Sequence, residues 1–472
     1  MLPYIFGQAP AAYLVALPIF LLAASGVLSI LFGNWRRQSA VACVLLAASA
    51  ASAFYIAASG ASYTFLYILQ ANAFSGLMFG VMAIGLLLIE IISYKQQGRP
   101  RELGVLLSFV ALGVFLVAFA YSIISILVGI EVVILATAFM ILLNGKRYVE
   151  PSLKLFLLGA IATAAMTFAL ALLFRFDPTL ALVQAAAPAT FILGLSFVMF
   201  IAAFSIEAAA TPFNFWVPDV YEGSPGNITA LLAGVNKKVA FIALLEIFVM
   251  VYGVYRATPS SMLPLASDIF FAIAVLTMFF GNLAALVQKN VKRLFAYSSI
   301  SQAGYIFIGI SAATHMGIES SIFYIVAHTF MIIGAFSIVF WLEQRNISTM
   351  DEYSGLAGRN MFAAVALSIL MLSMAGIPPL IGFAGKFLLF SSALGANDPM
   401  LAFLGIINSF ISIFYYAKVI NQMFLRKEEK SIAMDRNIAI AVGICLIVVI
   451  FVGIYPQVLL GAASAAASAL GV

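Results

Sequence analysis

Charged residues are scarce in this sequence. Asp, Glu, Lys and Arg make up 9% of the 472 residues, whereas hydrophobic residues make up 64%. A soluble domain needs a larger charged fraction to cover its surface, so this composition excludes an ordinary soluble protein. Apolar runs of about 20 residues, the length with which an α-helix crosses a bilayer, recur from end to end. The predicted fold class is therefore an all-α polytopic membrane protein.

Metal-binding and redox side chains are equally rare. The only histidines are His315 and His328, and the only cysteines, Cys43 and Cys445, lie far apart in apolar runs. This pattern excludes a recognisable haem, zinc, copper or disulfide centre, so we expect no metal and no cofactor in this chain. The first residues, MLPYIFGQAP, lack the basic region of a signal peptide, and we expect no cleaved leader.

The apolar runs predict 14 membrane spans. Their approximate bounds are residues 11–33, 39–59, 73–94, 102–120, 121–143, 151–174, 189–217, 226–253, 266–288, 295–313, 319–342, 361–394, 400–424 and 437–460.

The basic residues predict the orientation of these spans. Of the 23 lysines and arginines, 17 fall at or beside the loops that join an odd span to the next even one, and only Arg175 and Arg256 fall in loops on the other side. Positive loops face the cytoplasm, so we expect both termini on the extracytoplasmic side of a prokaryotic plasma membrane. The 17 residues are Arg36, Arg37, Lys95, Arg99, Arg101, Lys146, Arg147, Lys154, Lys289, Lys292, Arg293, Arg345, Arg359, Arg426, Lys427, Lys430 and Arg436.

Prolines interrupt two of the spans. The seventh reads SIEAAATPFNFWVPD, with Pro212 and Pro218, and the twelfth reads LSMAGIPPLIGFAGKF, with Pro378 and Pro379. Such breaks persist in a membrane only where protein or a wet cavity satisfies the freed backbone groups. Two broken spans of opposite direction predict inverted five-helix repeats at 102–253 and 266–425, after a three-helix segment at 1–101 and before a last span at 437–472. Ordinary proline kinks are the alternative.

Six ionisable residues fall well inside predicted spans. Each costs roughly 2.5–3.5 kcal/mol at mid-bilayer, so together they cannot face lipid. We expect them to face the bundle interior and to pair with one another or with water. They are Glu131, Glu207, Lys237, Lys238, Glu246 and Lys386.

A row of buried acids and bases favours ion transport. A lysine desolvated between helices changes its charge when a nearby carboxylate gains or loses a proton, so neighbouring sites can pass protons along. Static ion pairs are the alternative, above all for Glu246 near its span end. His328, alone on an apolar helix, is either a core residue or a relay between the eighth and twelfth spans. Glu90 and Lys418 lie near span ends, where we expect structural, snorkelling side chains.

Several segments together resemble the antiporter-like subunits of respiratory complex I, which are related to Mrp antiporters and membrane-bound hydrogenases. The similar segments are PFNFWVPDVYEGSPGNITALLAGVNKKVAFIALLEIF, LVQKNVKRLFAYSSISQAGYIFIGI and LSMAGIPPLIGFAGKF, and together they extend the resemblance over nearly the whole chain. PDVYEG and VEPSLKLFLLGAIATAA look most like the subunit N type.

The resemblance implies a proton path. A glutamate in the family's fifth span falls on Glu131, the eighth-span lysine on Lys237, and the twelfth-span residue on Lys386. The family's seventh-span lysine falls on Glu207, which would place two like charges together, so one should keep a proton. Our hypothesis is that Lys238 supplies the missing base. In the eighth span, Glu246 stands where subunit N relatives commonly carry arginine.

The resemblance further implies a non-redox subunit of a proton-translocating oxidoreductase. Flavin, iron–sulfur clusters and quinone are expected in partner subunits, and subunit K- and M-like neighbours are expected beside this chain. The alternatives are a stand-alone or Mrp-type Na⁺/H⁺ antiporter and, more distantly, a membrane transferase that uses Asp219 and Glu222. No Asp/Ser/Thr cluster stands out as a sodium site, which favours protons over sodium.

The predicted orientation can be tested by cysteine labelling in a background that lacks Cys43 and Cys445. We expect Lys289→Cys to react with a membrane-impermeant maleimide only after permeabilisation, and Asn397→Cys to react in intact cells, because their loops face opposite sides. Labelling of both positions from the same side would contradict the predicted topology.

Overall fold

The computed structural model is a bundle of α-helices with one short β-hairpin. It describes residues 13–31, 35–60, 62–65, 68–96, 99–176, 179–182, 191–257, 262–425 and 431–471. Within these residues, nine helices are long and apolar enough to cross a membrane, and six shorter apolar helices accompany them. The all-α membrane class is confirmed. The count of 14 spans and the two inverted repeats stay predictions.

The first half of the chain contains ten helices and the hairpin, in the following order. They are α1 (Tyr13–Leu31), α2 (Trp35–Ser59), β1 (Tyr63–Phe65), β2 (Leu69–Ala71), α3 (Ala73–Ser93), α4 (Leu103–Ala118), α5 (Ile123–Leu142), α6 (Val149–Leu173), α7 (Phe191–Glu207), α8 (Trp216–Gly223), α9 (Gly226–Leu231) and, after a π turn (Leu232–Asn236), α10 (Lys237–Ala257). A 3₁₀ turn (Lys146–Tyr148) precedes α6.

The second half continues with nine helices. They are α11 (Met262–Leu286), α12 (Val291–Ala312), α13 (His315–Glu343), α14 (Leu356–Arg359), α15 (Met361–Ala375), α16 (Ile381–Gly395), α17 (Pro399–Leu425), α18 (Arg436–Ile454) and α19 (Gln457–Ala469). A 3₁₀ turn (Met350–Tyr353) precedes α14. The sequence predicted neither the hairpin nor α19, which begins directly after Pro456.

Polar caps fix where several of these helices begin. Asn72 forms a capping box with Ser75 at the start of α3, and the side chains of Asn290, Thr314 and Asn360 accept backbone N–H groups at the starts of α12, α13 and α15. Each cap satisfies a donor that the helix itself leaves free, typically stabilising the helix by about 1 kcal/mol.

Small residues let the helices approach closely. A Cβ on Gly113 of α4 would lie 2.6 Å from the carbonyl oxygen of Gly129 on α5, and a Cβ on Gly129 would lie 2.7 Å from that of Gly113. Any larger residue at either position must therefore push α4 and α5 apart. Helix α13 lies at the centre, because its neighbours bury every residue from Ser320 to Leu342.

The first break separates α7 from α8, as the sequence predicted. Pro212 lies inside the break, whereas Pro218 is the third residue of α8, where a helix leaves backbone donors unused and tolerates proline. Side chains satisfy the freed groups, because Thr211 N donates to Thr277 Oγ1 (2.9 Å) and Trp216 Nε1 donates to Ile206 O (3.0 Å).

The second break separates α15 from α16, again at the predicted prolines. Helix α15 ends at Ala375, and Gly376 adopts φ +90°, a left-handed conformation that glycine takes without strain. The backbone N–H of Ile377 donates back to Leu372 O (3.0 Å), and that of Gly382 donates to Ser373 Oγ (3.1 Å). Both breaks are thus closed by protein groups, as a membrane interior requires.

A cluster of surface ion pairs joins α8 to α6 and α12 at the predicted cytoplasmic end. Arg293 donates to Asp219 and to Glu222, both at 2.9 Å, while Lys154 donates to Asp219 at 3.0 Å and to Glu150 at 2.8 Å. Asp219 and Glu222, the residues considered for a transferase site, are therefore held in these contacts. Burial alone would raise the pKa of Asp219, but the hydrogen bonds from Lys154 and Arg293 outweigh it and hold that pKa below its ordinary value of 3.8.

A second ion pair lies more deeply and holds the turn between α8 and α9. Lys292 donates to Glu343 at 2.8 Å and to the carbonyl oxygen of Ser224 at 2.6 Å. The other carboxylate oxygen of Glu343 accepts the backbone N–H of Gly226 at 2.8 Å. The start of α9 is thereby tied to α12 and α13.

We expect Asp219→Asn to lower the free energy of unfolding by about 1 kcal/mol or less, since these contacts are partly exposed. A carboxyl with a depressed pKa contributes its stability fully above the ordinary pKa and loses it as the pH falls below that value. Acidification below about pH 4 should therefore destabilise the native protein more than the variant, as measured by thermal melting in detergent. Glu150→Gln, which affects a mostly exposed pair, is the control, and equal acid sensitivity of native and variant proteins would contradict the assignment.

Candidate functional site

Three lysines lie buried in the centre of the bundle. Lys237, Lys238 and Lys386 expose only 1%, 1% and 2% of their surface, which confirms that they face the interior. Of the two arrangements expected, pairing with acids or contact with water, the first is not found, because among the described residues no carboxylate lies within ion-pair distance of any of the three. Neutral groups hold them instead.

Lys237 reaches from the start of α10 to α12. Its Nζ donates to the carbonyl oxygen of Ser299 at 3.0 Å and to the hydroxyl of Ser299 at 3.2 Å. A π turn directly precedes Lys237, and its backbone hydrogen bonds span five residues where those of an α-helix span four, a feature often found at functional sites. In this turn Asn236 donates to Thr137 Oγ1 of α5 at 2.8 Å.

Lys238 points to a different partner, His328 of α13. Lys238 Nζ lies 2.6 Å from His328 Nδ1, and His328 Nε2 is buried without a hydrogen-bond partner among the described residues. A hydrogen bond between two nitrogens needs one donor and one lone pair, so the pair accommodates one positive charge, not two. The hypothesis that Lys238 replaces the missing base beside Glu131 finds no support, because the lysine is engaged with His328.

Lys386 reaches back across the second break. Its Nζ donates to Ser409 Oγ (3.1 Å) and to the carbonyl oxygen of Ala375 (3.3 Å), the last residue of α15. It also lies 4.2 Å from the centre of the Tyr305 ring, a cation–π distance. The ammonium therefore occupies the negative, C-terminal end of a half-helix, where a cation is favoured.

The two acids of the first half lie near each other. Glu131 lies midway along α5 and Glu207 is the last residue of α7; both are half-buried, and Glu131 is close enough to act on Glu207 electrostatically. Glu207, Asn236 and Lys237 line a cavity of about 20 Å³, which has room for a water molecule. Two carboxylates in one site do not both ionise readily, so this pair is suited to hold a proton.

Glu246 lies apart from these groups. It is 7% exposed on α10, and its Oε2 has no partner among the described residues. Nine residues separate it from Lys237, about 14 Å along the helix axis. It therefore does not belong to the lysine cluster.

A polar face of α12, which sequence reasoning passed over, connects Lys237 with Lys386. Ser299, Gln302 and Tyr305 follow one another at intervals of three residues and so lie on one side of the helix. Ser299 contacts Lys237 and the Tyr305 ring contacts Lys386. Between them, Gln302 accepts a hydrogen bond from Tyr324 of α13, and nearby Ser298 shares one with Tyr416 of α17. The signal was present in the polar run SSISQAGY within an apolar span.

Glu90 has the structural role that the sequence predicted, but it does not reach the surface. Its carboxylate is fully buried, not snorkelling, and it pairs with Arg99 at 2.5 Å and with Ser39. Lys418, by contrast, is exposed, in agreement with a structural side chain at a span end. Within the described residues, no group of three or more His, Cys, Asp or Glu side chains could hold a metal ion.

The sequence of this chain is similar to those of known proteins. Residues 120–412 match the family described as NADH:quinone oxidoreductase/Mrp antiporter, TM. The sequence is 33% identical over 416 residues to NADH-quinone oxidoreductase subunit N 1 of Chloroherpeton thalassium, covering 84% of this chain and 86% of that protein.

Solved structures agree with this match. A chain of respiratory complex I from Thermus thermophilus with bound Aureothin superposes with a TM-score of 0.81 and 27% identity, covering 96% of this chain and 99% of the other. A chain of the Mrp complex from Dietzia sp. has a TM-score of 0.90 at 20% identity, covering 98% of each, which shows a common fold.

We expect Glu207→Gln to change the free energy of unfolding by less than about 0.5 kcal/mol, because a neutral amide resembles the protonated acid beside Glu131. Thermal melting in detergent, with Glu246→Gln as the matched control, measures this. A loss of about 2 kcal/mol or more would mean that Glu207 is ionised and paired.

Proposed function

We propose a proton path through this chain, which belongs to the NADH:quinone oxidoreductase/Mrp antiporter family. Six residues form the path: Glu131, Glu207, Lys237, Lys238, His328 and Lys386. The chain is a proton-translocating, antiporter-like membrane subunit of a complex I-type pump.

The observation that carries this proposal is that three lysines are buried without a carboxylate partner among the described residues. A carboxylate would hold each lysine permanently charged, whereas hydroxyl and carbonyl groups stabilise the charge more weakly. Both the charged and the neutral form of each lysine are then accessible inside the bundle. The alternative role for such residues is a static ion pair, and within the part of the chain that the structure describes no acid forms one with any of the three lysines.

The polar face of α12 supplies a route between two of these lysines. A proton released from Lys237 meets the hydroxyl of Ser299, and Gln302 and Tyr305 continue the polar side of the helix toward Lys386. Successive members are about 5 Å apart along the helix, so water molecules are needed to complete the transfers. The Lys238–His328 pair lies beside this route as a site for one proton.

The two acids form the other end of the row. A proton held between Glu131 and Glu207 faces the cavity that Lys237 also lines. Ionisation of this pair favours the charged form of Lys237, and protonation favours the neutral form. A change of charge at the acids can thus drive a proton onto or off the lysine row.

The remaining assignments concern assembly. We infer a non-redox subunit, with flavin, iron–sulfur clusters and quinone in partner subunits and with subunit K- and M-like neighbours. The relative from Chloroherpeton thalassium is a subunit of NADH-quinone oxidoreductase, and the similar chain from Thermus thermophilus is part of respiratory complex I. The two inverted repeats and the extracytoplasmic termini belong to the same proposal, since antiporter function uses opposed half-helices.

An Mrp-type antiporter is the second candidate, supported by the shared fold. The two differ in their partners and in their energy source. Purification of the native complex distinguishes them, because a redox pump co-purifies with cofactor-bearing subunits and translocates ions only when an electron donor is supplied.

We expect Lys237→Met and Lys386→Met in the native complex to reduce proton translocation per electron at least tenfold, because methionine fills the space without binding a proton. Proton uptake in vesicles driven by the complex's own electron donor measures this. Lys418→Met, at an exposed lysine, is the control. Normal translocation by both buried-lysine variants would falsify the proposed path.

A further inference from the structure

Helix α15 ends inside the bundle, where its last four carbonyl groups have no helical partner. Leu372 O accepts the backbone N–H groups of Gly376 and Ile377, and Ser373 O accepts that of Gly376 as well. Ala375 O accepts Lys386 Nζ and Ser409 Oγ. One carbonyl remains, that of Met374.

The carbonyl of Met374 is bound from another helix. Gln302 of α12 donates its Nε2 to Met374 O at 3.2 Å, and its Oε1 accepts the hydroxyl of Tyr324 on α13. Gln302 and Tyr324 are both fully buried. One amide therefore joins three helices at the point where the twelfth span breaks.

Met374 precedes Ala375, whose carbonyl oxygen holds Lys386. A displacement of the Met374 peptide therefore moves the acceptor of the lysine directly. Ser409, the other acceptor, donates to the same Ala375 oxygen at 2.9 Å, so it shifts with it. The position of both acceptors depends on the bond from Gln302.

We propose that Gln302 is a positioning residue for proton transfer at Lys386. Its amide fixes the carbonyl end of α15 so that Ala375 O and Ser409 Oγ face the ammonium, and its carbonyl oxygen links that end to Tyr324. Because Gln302 lies between Ser299 and Tyr305, the residue that orients Lys386 also lies on the route from Lys237. This inference rests on the proposed function of Lys386.

Other titratable groups lie on the helices around Lys386, and each of them can also affect how proton translocation depends on pH. Of the helices packed against α16, α15 carries none and α18 carries Cys445 and Arg436. Helix α12 carries Lys292, Arg293, Tyr297 and Tyr305, α13 carries His315, Glu319, Tyr324, His328 and Glu343, and α17 carries Tyr415, Tyr416 and Lys418. Of these, the Tyr305 ring contacts Lys386, His328 is close enough to act on it electrostatically, and Tyr324 packs against α16 at Gly385. The variants below leave all of these in place except where Tyr324 is itself changed.

The test uses the native complex with its own electron donor and measures proton translocation against pH. Gln302→Leu should lower translocation about tenfold, the effect of about 1.4 kcal/mol on a barrier. The fall of translocation at high pH should also begin at a lower pH, because the Lys386 ammonium loses a fixed acceptor and therefore gives up its proton more easily. Gln38→Leu, which removes a buried amide from α2, is the matched control and should leave the profile unchanged.

Two further variants keep the test valid if Gln302→Leu does not assemble. Gln302→Glu can form both hydrogen bonds when protonated but cannot donate to Met374 O when ionised, so translocation should approach the native rate at acid pH and fall as the pH rises. Tyr324→Phe removes one hydroxyl, and the fall of its translocation at high pH should also begin at a lower pH, but with a smaller shift than for Gln302→Leu.

Lys386→Met, measured in parallel, separates the two proposals. If Lys386→Met translocates protons normally, the function assigned to Lys386 fails. If Lys386→Met is inactive while Gln302→Glu and Tyr324→Phe keep the native profile, only the role of Gln302 is overturned.

Discussion

Hydrocarbon offers no hydrogen bonds, so each polar group inside this bundle must find its partner in the protein or in trapped water. This constraint explains the surroundings of the buried lysines. Lys237 is held by Ser299, Lys238 by His328, and Lys386 by Ser409 and the end of α15. These neutral partners satisfy the hydrogen-bonding demand without fixing the charge, which is the property a proton carrier needs.

In both broken spans an ionisable side chain lies at the carbonyl end of the first half-helix, a base in one and an acid in the other. At the second break a cation lies against the carbonyl end of α15, where the helix dipole favours it. At the first break Glu207, an acid, occupies the carbonyl end of α7, where the dipole disfavours a negative charge. A neutral, protonated Glu207 removes that conflict and the repulsion from Glu131 at once. The two breaks thus favour different groups, a cation at the end of α15 and a neutral acid at the end of α7.

The sequence predicted the class of the fold and the burial of the three lysines, because hydropathy and the cost of burying a charge act locally along the chain. The positions of both breaks followed from Pro212 and Pro378 for the same reason. The partners of the lysines did not follow, since Lys237 and Lys238 are adjacent, and the sequence reveals neither the π turn that sets their directions nor the packing of α12 and α13 around them. The burial of Glu90 did not follow either, since its partner Arg99 lies beyond the end of α3 and only the tertiary structure brings the two together. Gln302 escaped notice because an uncharged amide costs less to bury than a lysine.

The π turn at Leu232–Asn236 determines the directions of the two adjacent lysines. A π turn inserts one residue into the helix, which rotates everything after it by about 100° relative to a regular helix. Without that insertion, Asn236 would take the direction that Lys237 has now, and Lys237 would take that of Lys238. The charge facing Ser299 would be replaced by an amide. The register of α10, which the backbone of the π turn sets, thus decides which side chain faces Ser299.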